Sequence, residues 1–333
     1  MTTLVTGAAG FIGMHVARRL LARGERVVGV DNLGDYYSVA LKRARLAELE
    51  GHRGFVFHRL DLADMAALRG ALAGERVRRI VHLAAQPGVR HSLENPQAYV
   101  SANVAAHVNV LEWARHAGGL DGVVYASSSS VYGGNTRLPF SEGDAVDRPV
   151  SLYAATKRAD ELIAHTYAHL FRIPLTGLRF FTVYGPWGRP DMAVWSFAEA
   201  ILEGRPIRVF NHGDMMRDFT YVDDIVSGVL AVCDAPPADD GAPPHRLYNI
   251  GHNRPERLGD MIALLEDALG RKATRILEPM QPGDVPATYA DIDRIRTDHG
   301  FAPITPLKEG IPKFVEWLRG WREGTRIVRP AAS

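Results

Sequence analysis

The sequence predicts an α/β protein: a doubly wound parallel sheet of the Rossmann type with a smaller, partly interleaved C-terminal α/β domain. Three observations predict it. Short β-branched runs alternate with helix-length amphipathic segments through the first half of the 333 residues. Three glycines, Gly7, Gly10 and Gly13, sit where the first strand should turn into the first helix. Apolar residues make up 46% of the chain, enough for one large core or two intertwined ones.

In chain order, strands are expected at 3–6, 26–31, 55–61, 79–84, 123–127 and 175–182. Helices are expected between them, at 12–23, 39–49, 96–116 and 152–171. After Gly185 the punctuation changes, with Pro186, Gly188 and Pro190 in quick succession. A helix at 192–202, a strand at 207–210 and a helix from Asp223 follow, then a Pro- and Asp-rich loop at 236–244. From Arg246 the chain reads as strand, helix and loops. The expected division is a first domain at 1–185, to which 205–250 partly returns, a second at 186–204 and 251–326, and a tail at 327–333.

Charge narrows the possible partners. The chain carries 39 basic against 38 acidic residues, so no global field favours a nucleic acid or a membrane surface. An anionic ligand must be held by locally placed donors. Cys233 is the one cysteine, which rules out an internal disulfide and points to a reducing compartment. The apolar run at 3–14 is followed, not preceded, by Arg18, Arg19 and Arg23, which is the wrong order for a secretory signal. No stretch reaches the roughly 18 uninterrupted apolar residues of a membrane span. A cytoplasmic location is therefore expected, and no metal site.

Residues 3–13 read Thr-Leu-Val-Thr-Gly-Ala-Ala-Gly-Phe-Ile-Gly. Without Cβ atoms the backbone turns tightly there, and its amides can approach a pyrophosphate at the helix N-terminus. Asp31 closes the second strand 18 residues after Gly13. Its carboxylate suits free adenosine ribose hydroxyls and repels a 2′-phosphate, which favours NAD over NADP. A tight strand–helix turn would use similar glycines, and a capping acid would explain Asp31. Asp61, ending the third strand, fits either an adenine contact or a turn.

Four consecutive serines, Ser127 to Ser130, close a predicted strand ahead of Val131, Tyr132 and Gly133. Tyr153 and Lys157 lie four apart near the start of a predicted helix and share a face. A phenol ordinarily loses its proton near pH 10 and is a poor base at neutrality. A neighbouring ammonium and a cationic nicotinamide both favour the phenolate and bring it into range. Only five of the 39 basic residues are lysines, so a lysine at 157 is an uncommon choice here, and lysine is the titratable one. A surface Tyr–Lys pair and a polar serine turn remain the plainer alternatives.

Together the glycine turn, Tyr-x-x-x-Lys and the upstream serine resemble the extended short-chain dehydrogenase/reductases, the branch of sugar-nucleotide epimerases and dehydratases. The resemblance continues through Arg217-Asp218-Phe219-Thr220-Tyr221-Val222-Asp223-Asp224 and Gly283-Asp284-Val285-Pro286. It implies catalysis by Ser128, Tyr153 and Lys157. It also implies NAD held by Gly7, Gly10, Phe11, Ile12, Gly13, Asp31, Asn32, Asp61, Leu62, Leu83, Ala84, Ala85, Asn103, Tyr153 and Lys157.

Within that branch, His-Leu-Ala-Ala-Gln at 82–86, Val89-Arg90, Ser92 to Pro96, the run at 179–192 and Met280 to Asp284 are similar to the UDP-glucuronate 4-epimerases. Dehydratases and uronate decarboxylases of the family carry acid in the loop after the catalytic hydroxyl, where this chain has Ser129 and Ser130. The resemblance therefore implies transient oxidation at sugar C4 and its reversal. It implies a UDP-sugar substrate bound by Gln86, Arg90, Ser128, Ser129, Ser130, Thr182, Arg189, Val209, Arg217 and Asp284. The 4-keto uronate is a β-keto acid prone to lose CO2, so donors such as Ser129, Ser130, Thr182 and Arg189 are expected to hold its carboxylate. A UDP-glucose/UDP-galactose 4-epimerase shares every catalytic residue and stays open, as do a decarboxylase and a non-catalytic NAD-sensing scaffold. A homodimer pairing the helices at 96–116 and 152–171 is expected by the same likeness. Pro87, His91, Ser196 and Gln281 depart from the pattern, which has a small residue, a tyrosine, a lysine and an arginine there.

Overall fold

A computed structural model describes residues 1–280 and 285–328. The first half alternates as expected: β1 (Thr2–Thr6), α1 (Phe11–Ala22), β2 (Arg26–Asp31), α2 (Val39–Glu50), β3 (Phe55–Arg59), α3 (Met65–Ala71) and β4 (Arg79–His82). Short helices α4 (His91–Glu94) and α5 (Pro96–Tyr99) run through a π-helical turn, Val100–Ala105, into α6 (Ala106–Ala117). Then come β5 (Gly122–Ser128), a 3-10 turn (Ser129–Tyr132), α7 (Leu152–Phe171) and β6 (Leu175–Phe180). The helix expected at 96–116 is thus continuous in extent but carries a π turn, a local feature that apolar spacing does not reveal.

Beyond it lie β7 (Thr182–Tyr184), α8 (Ala193–Glu203), β8 (Ile207–Val209), β9 (Met216–Tyr221), α9 (Val222–Asp234), β10 (His245–Ile250), β11 (Pro255–Arg257), α10 (Leu258–Leu269), β12 (Arg275–Leu277), β13 (Ala287–Thr288), α11 (Asp293–His299) and α12 (Leu307–Val328). Seven strands form one parallel sheet in the order β10-β6-β5-β4-β1-β2-β3. From β1 the chain winds outward to β3, crosses back to β4 and winds the other way. The order reverses between β1 and β4, where a crevice opens at the carboxyl ends of the strands.

Local sequence explains the element ends. Ser38, Asp64 and Ser151 cap α2, α3 and α7, each accepting a bond from a backbone amide three residues on. α1 begins at Gly10 with no side-chain cap, which leaves its first amides facing the crevice. Two core clusters cover the sheet. One joins α1 to the C-terminal helices through residues such as Met14, Leu20, Val222, Ile262, Ile311 and Phe314. The other packs Leu4, Val28 and Ile80 against Val110, Leu111 and Ala164 of α6 and α7. Strands buried on both faces read as near-continuous apolar runs, as Val27 to Val30 of β2 do, while β1 buries threonines among its apolar residues.

Two expectations are corrected. The strand at 175–182 is two strands: β6 ends at Phe180, Phe181 turns into the core, and β7 pairs with β9 in a second sheet. That sheet holds β11, β9, β13 and β7, beside a two-stranded pair of β8 and β12. α12 continues through Pro312 to Val328, two residues into the segment expected as a tail; residues 329–333 lie outside the described residues. Among the described residues no helix is long and apolar enough to cross a membrane.

Candidate active site

The glycine turn requires glycine. Gly7 adopts a φ of +70°, and a Cβ on Gly13 would stand 2.0 Å from the Gly7 carbonyl oxygen. That leaves a backbone-walled cradle at the N-terminus of α1, formed by Gly10, Phe11, Ile12 and Gly13. A Cβ on Gly7 would lie 2.8 Å from the Ala84 amide, so the cradle is pressed against the chain leaving β4. There Thr6 receives bonds from both Leu83 and Ala84. Leu83, Ala84 and Ala85 thereby form one wall of the crevice.

Asp31 ends β2 beside the cradle. Its two carboxylate oxygens accept the amides of Ala9 (3.1 Å) and Leu33 (2.8 Å). Burial pushes its proton affinity up, while those amides and the nearby Lys42 and Arg45 pull it down. Asn32 donates to Asp61 at 3.2 Å, and Asp61 also accepts the Ala63 amide, with Leu62 buried behind it. Asp61 is therefore a turn acid and a neighbour of Asn32. A glycine cradle whose side-chain space is filled by backbone, and a buried carboxylate one strand away, fit the diphosphate and adenosine ribose of NAD.

Tyr153 and Lys157 stand on the first two turns of α7. The Tyr153 ring meets Tyr99 edge-on, with centroids 6.2 Å apart. The Lys157 ammonium donates to the Ala126 carbonyl of β5 and to Asp160, both at 3.1 Å. Ala126 is two residues before Ser128, the last residue of β5, so the ammonium ties this face of α7 to the strand that ends in the serine run. Ser128 is buried, and its hydroxyl accepts the Ser130 amide at 3.1 Å, which turns Ser129 and Ser130 into the crevice rim.

Behind this face Glu161 accepts Ser127 at 2.6 Å and two bonds from Arg179 at 2.8 and 2.9 Å. Asn103, in the π turn, accepts the Gln86 amide at 2.7 Å and donates to the Gln86 carbonyl and to Thr156. Both of its side-chain donors are thus committed to placing the Gln86 loop against α7. Tyr99 supports the same loop, its hydroxyl 2.6 Å from the Pro87 carbonyl. Burial raises the Tyr99 hydroxyl to about 12 and keeps it a neutral donor.

The remaining candidates lie on β7, β8, β9 and the loops around them. Thr182 begins β7 and, with Arg189, Tyr184, Trp195 and Phe314, lines a narrow cavity of about 20 Å³. Arg189 is engaged by Asp191, which also accepts the Tyr36 hydroxyl at 3.2 Å. Its charge is thus partly matched within the protein. Arg90 lies over the Phe210 ring at 5.3 Å, one residue from Val209, so the loop after β4 meets the end of β8. Arg217, in β9, donates to the carbonyls of Met216 and Pro286. Asp284 and Gln281 lie outside the described residues. Of the other departures, Pro87 carries the carbonyl that Tyr99 holds, His91 packs on Tyr36 at 5.0 Å, and Ser196 bonds back within α8.

Sequence reasoning missed Tyr99, Tyr36, Asp160 and Arg45. Arg45 is fully buried and donates to the carbonyls of Ala9, Trp187 and Gly188, which locks the glycine turn to the loop bearing Arg189. The signal for Asp160 was its place three residues after Lys157, on the same helix face. Arg45 stands on a helix face otherwise lined by Leu41, Leu46 and Leu49, a position where an arginine is rarely idle.

Comparison with known proteins identifies the family. The profile of the NAD dependent epimerase/dehydratase family matches residues 3–251. An uncharacterized 37.6 kDa protein of Escherichia coli O111:H- is 52% identical over 96% of this chain and 98% of its own. A probable UDP-glucuronate 4-epimerase of Rhizobium meliloti (strain 1021) is 47% identical over 95% and 96%. The crystal structure of the UDP-glucuronic acid 4-epimerase of Bacillus cereus, solved with UDP-glucuronic acid and NAD, superposes with a TM-score of 0.88 at 34% identity. That match covers 96% of this chain and 100% of that one.

Proposed function

The chain belongs to the NAD dependent epimerase/dehydratase family, and within it we propose that this NAD-dependent enzyme interconverts UDP-glucuronate and UDP-galacturonate. One observation carries the reading: the Lys157 ammonium is fixed 3.1 Å from the Ala126 carbonyl, one helical turn from Tyr153, beside a strand that ends in Ser128, Ser129 and Ser130 with no acid among them. The relatives named for this activity support it.

Tyr153 takes the proton of the sugar C4 hydroxyl, which Ser128 holds, and Lys157 stabilises the phenolate. The glycine cradle and Asp31 would hold the diphosphate and adenosine ribose of NAD, which when bound would supply the two-electron oxidation of C4 and its reversal. The 4-keto sugar turns about its link to the diphosphate and presents its other face, and Tyr153 gives the proton back. Arg90, Val209 and Arg217, with Asp284, hold the UDP throughout, so much of the binding strength lies far from C4. Ser129, Ser130, Thr182 and Arg189 receive the uronate carboxylate and keep the C5–C6 bond out of line with the ketone, which prevents loss of CO2.

In the same reading the enzyme works in the cytoplasm as a homodimer through α6 and α7, whose outer face carries the exposed Leu162 and Leu170. Residues 1–185 with 205–250 serve the cofactor, and 186–204 with 251–326 the sugar nucleotide. The test is incubation of the purified protein with UDP-glucuronate, followed by NMR of the sugar. UDP-galacturonate is the expected product. A UDP-pentose with CO2, turnover of UDP-glucose equal to that of the uronate, or no product would each overturn the assignment.

A further inference from the structure

The reacting pair is backed by a compartment whose charges are matched in ion pairs. Lys157 and Asp160 are 3.1 Å apart with side chains 4% and 1% exposed. The second oxygen of Asp160 has no hydrogen-bond partner. A buried carboxylate with one oxygen idle is a cost, offset here by its contact with the buried Lys157 ammonium.

Of the groups around Asp160, Glu161 carries the same charge and the rest do not. On its own helix Glu161 is matched by Arg179 and Arg158. From α6 comes His107, stacked on His82 of β4 at 5.4 Å, and from β5 Tyr125, hydrogen-bonded to His245 of β10 at 2.8 Å. Burial holds His107 well below its ordinary range, brings His82 down to about 3 and His245 to about 4, and drives Tyr125 upward, so all four are neutral near pH 7. What remains against the Lys157 ammonium is one carboxylate.

We propose that Asp160 is a positioning residue for the catalytic pair: its carboxylate pins the Lys157 ammonium against β5 and, by partly cancelling that charge, weakens the field Lys157 presents to Tyr153 one turn away. The proposal rests on the assignment of Tyr153 and Lys157 given above. While Asp160 is ionised, the Lys157 ammonium it holds presents a weakened positive field to the helix face that carries Tyr153. Burial, opposed by Lys157, pushes the Asp160 carboxyl up to about 6. As the pH falls through that value the acid is neutralised, and the full ammonium field acts on the phenol. The pair thus tolerates moderate acid better than a fixed counter-charge would allow.

The experiment is the pH profile of kcat on UDP-glucuronate for the native enzyme, Asp160→Asn, Asp160→Ser and Asp160→Glu. Asn keeps an acceptor for Lys157 and removes the charge; Ser removes both and provides a second neutral variant should the first fold poorly. The acid limb of either neutral variant should move to lower pH by roughly half to one unit, and Glu should restore the native limb. In Ser, kcat at the optimum should also fall roughly tenfold, because the ammonium is no longer held in place. Acid limbs of Asn and Ser that coincide with the native one overturn the proposal and leave the functional reading intact. A native enzyme that yields no UDP-galacturonate sinks both.

Discussion

Arg179 and Glu161 face each other through two parallel hydrogen bonds of 2.8 and 2.9 Å, with side chains 1% and 0% exposed. The pair bridges β6 and α7, and through Ser127 it reaches the strand that delivers Ser128. Burial opposes ionisation of Glu161, but Arg179, with Ser127 and Arg158, outweighs it and holds the carboxyl below its ordinary value. Glu161→Gln leaves the guanidinium buried without its counter-charge, which should destabilise the protein by about 3–5 kcal/mol. Removing both partners with Glu161→Leu and Arg179→Met should cost less than the sum of the single changes. Urea unfolding of the four proteins measures the coupling, and simple additivity would mean the pair does not act as a unit.

Acid should loosen the fold before it titrates most carboxylates. His15 and His245 are held at about 4 and His82 at about 3, in each case chiefly by burial. Folded values below the unfolded one mean that stability is fully present above pH 6.5 and lost as the pH falls towards those values. Each of the fully buried rings contributes a slope of up to about 1.4 kcal/mol per pH unit. Asp160, with its raised value, works in the opposite direction below pH 6 and reduces the net loss. Urea midpoints between pH 7.5 and 5 should therefore decline; a flat profile would show that these histidines charge without unfolding.

Tyr153→Phe keeps the edge-on packing against Tyr99 and deletes only the hydroxyl. Turnover should fall by about 10²–10⁴-fold or more, while UDP binding measured by calorimetry stays at the native level. Activity near the native level would remove Tyr153 from the base role.

Arg189→Ala should discriminate between substrates. A charge-assisted bond to a carboxylate is worth roughly 1.5–3 kcal/mol, so the KM for UDP-glucuronate should rise roughly 10–100-fold. UDP binding should be little changed. The change also frees Asp191, now engaged by Arg189 and Tyr36, to repel a uronate. Substituting Asp191→Asn in the Arg189→Ala background should recover part of the loss, and the comparison separates the missing donor from the added repulsion.

Asp31→Asn retains an acceptor for one of the two amides it now holds but removes the charge that disfavours a 2′-phosphate. Retention of NAD through gel filtration should weaken, and NADP should become able to support activity in cofactor-depleted protein. Continued exclusion of NADP would assign the selectivity to other residues.

The parallel core of the fold was legible because its signals are local. β-Branched runs, helix-length spacing and a glycine triplet each act over a few residues, and β1 to β5 fall where they were expected to within two residues. The split of β6 from β7 was not legible, since Phe181 looks like any other strand residue until β10 is known to end beside it. The catalytic candidates were readable as types at fixed spacings. Tyr36, Arg45 and Tyr99 were not, because each takes its meaning from a partner 11 to 155 positions away, as Tyr36 does from Asp191.

What the amino-acid sequence determined by itself is the chemistry available: a backbone that can cradle a diphosphate, a phenol and an ammonium on one helix face, and a serine run without an acid. Tertiary structure alone decided how those groups are charged and held. Hydrogen bonds across the sheet join Lys157 to Ala126, Glu161 to Arg179 and Arg45 to Trp187. Proton affinity depends on burial and neighbouring charge, and neither exists until distant segments pack around the group.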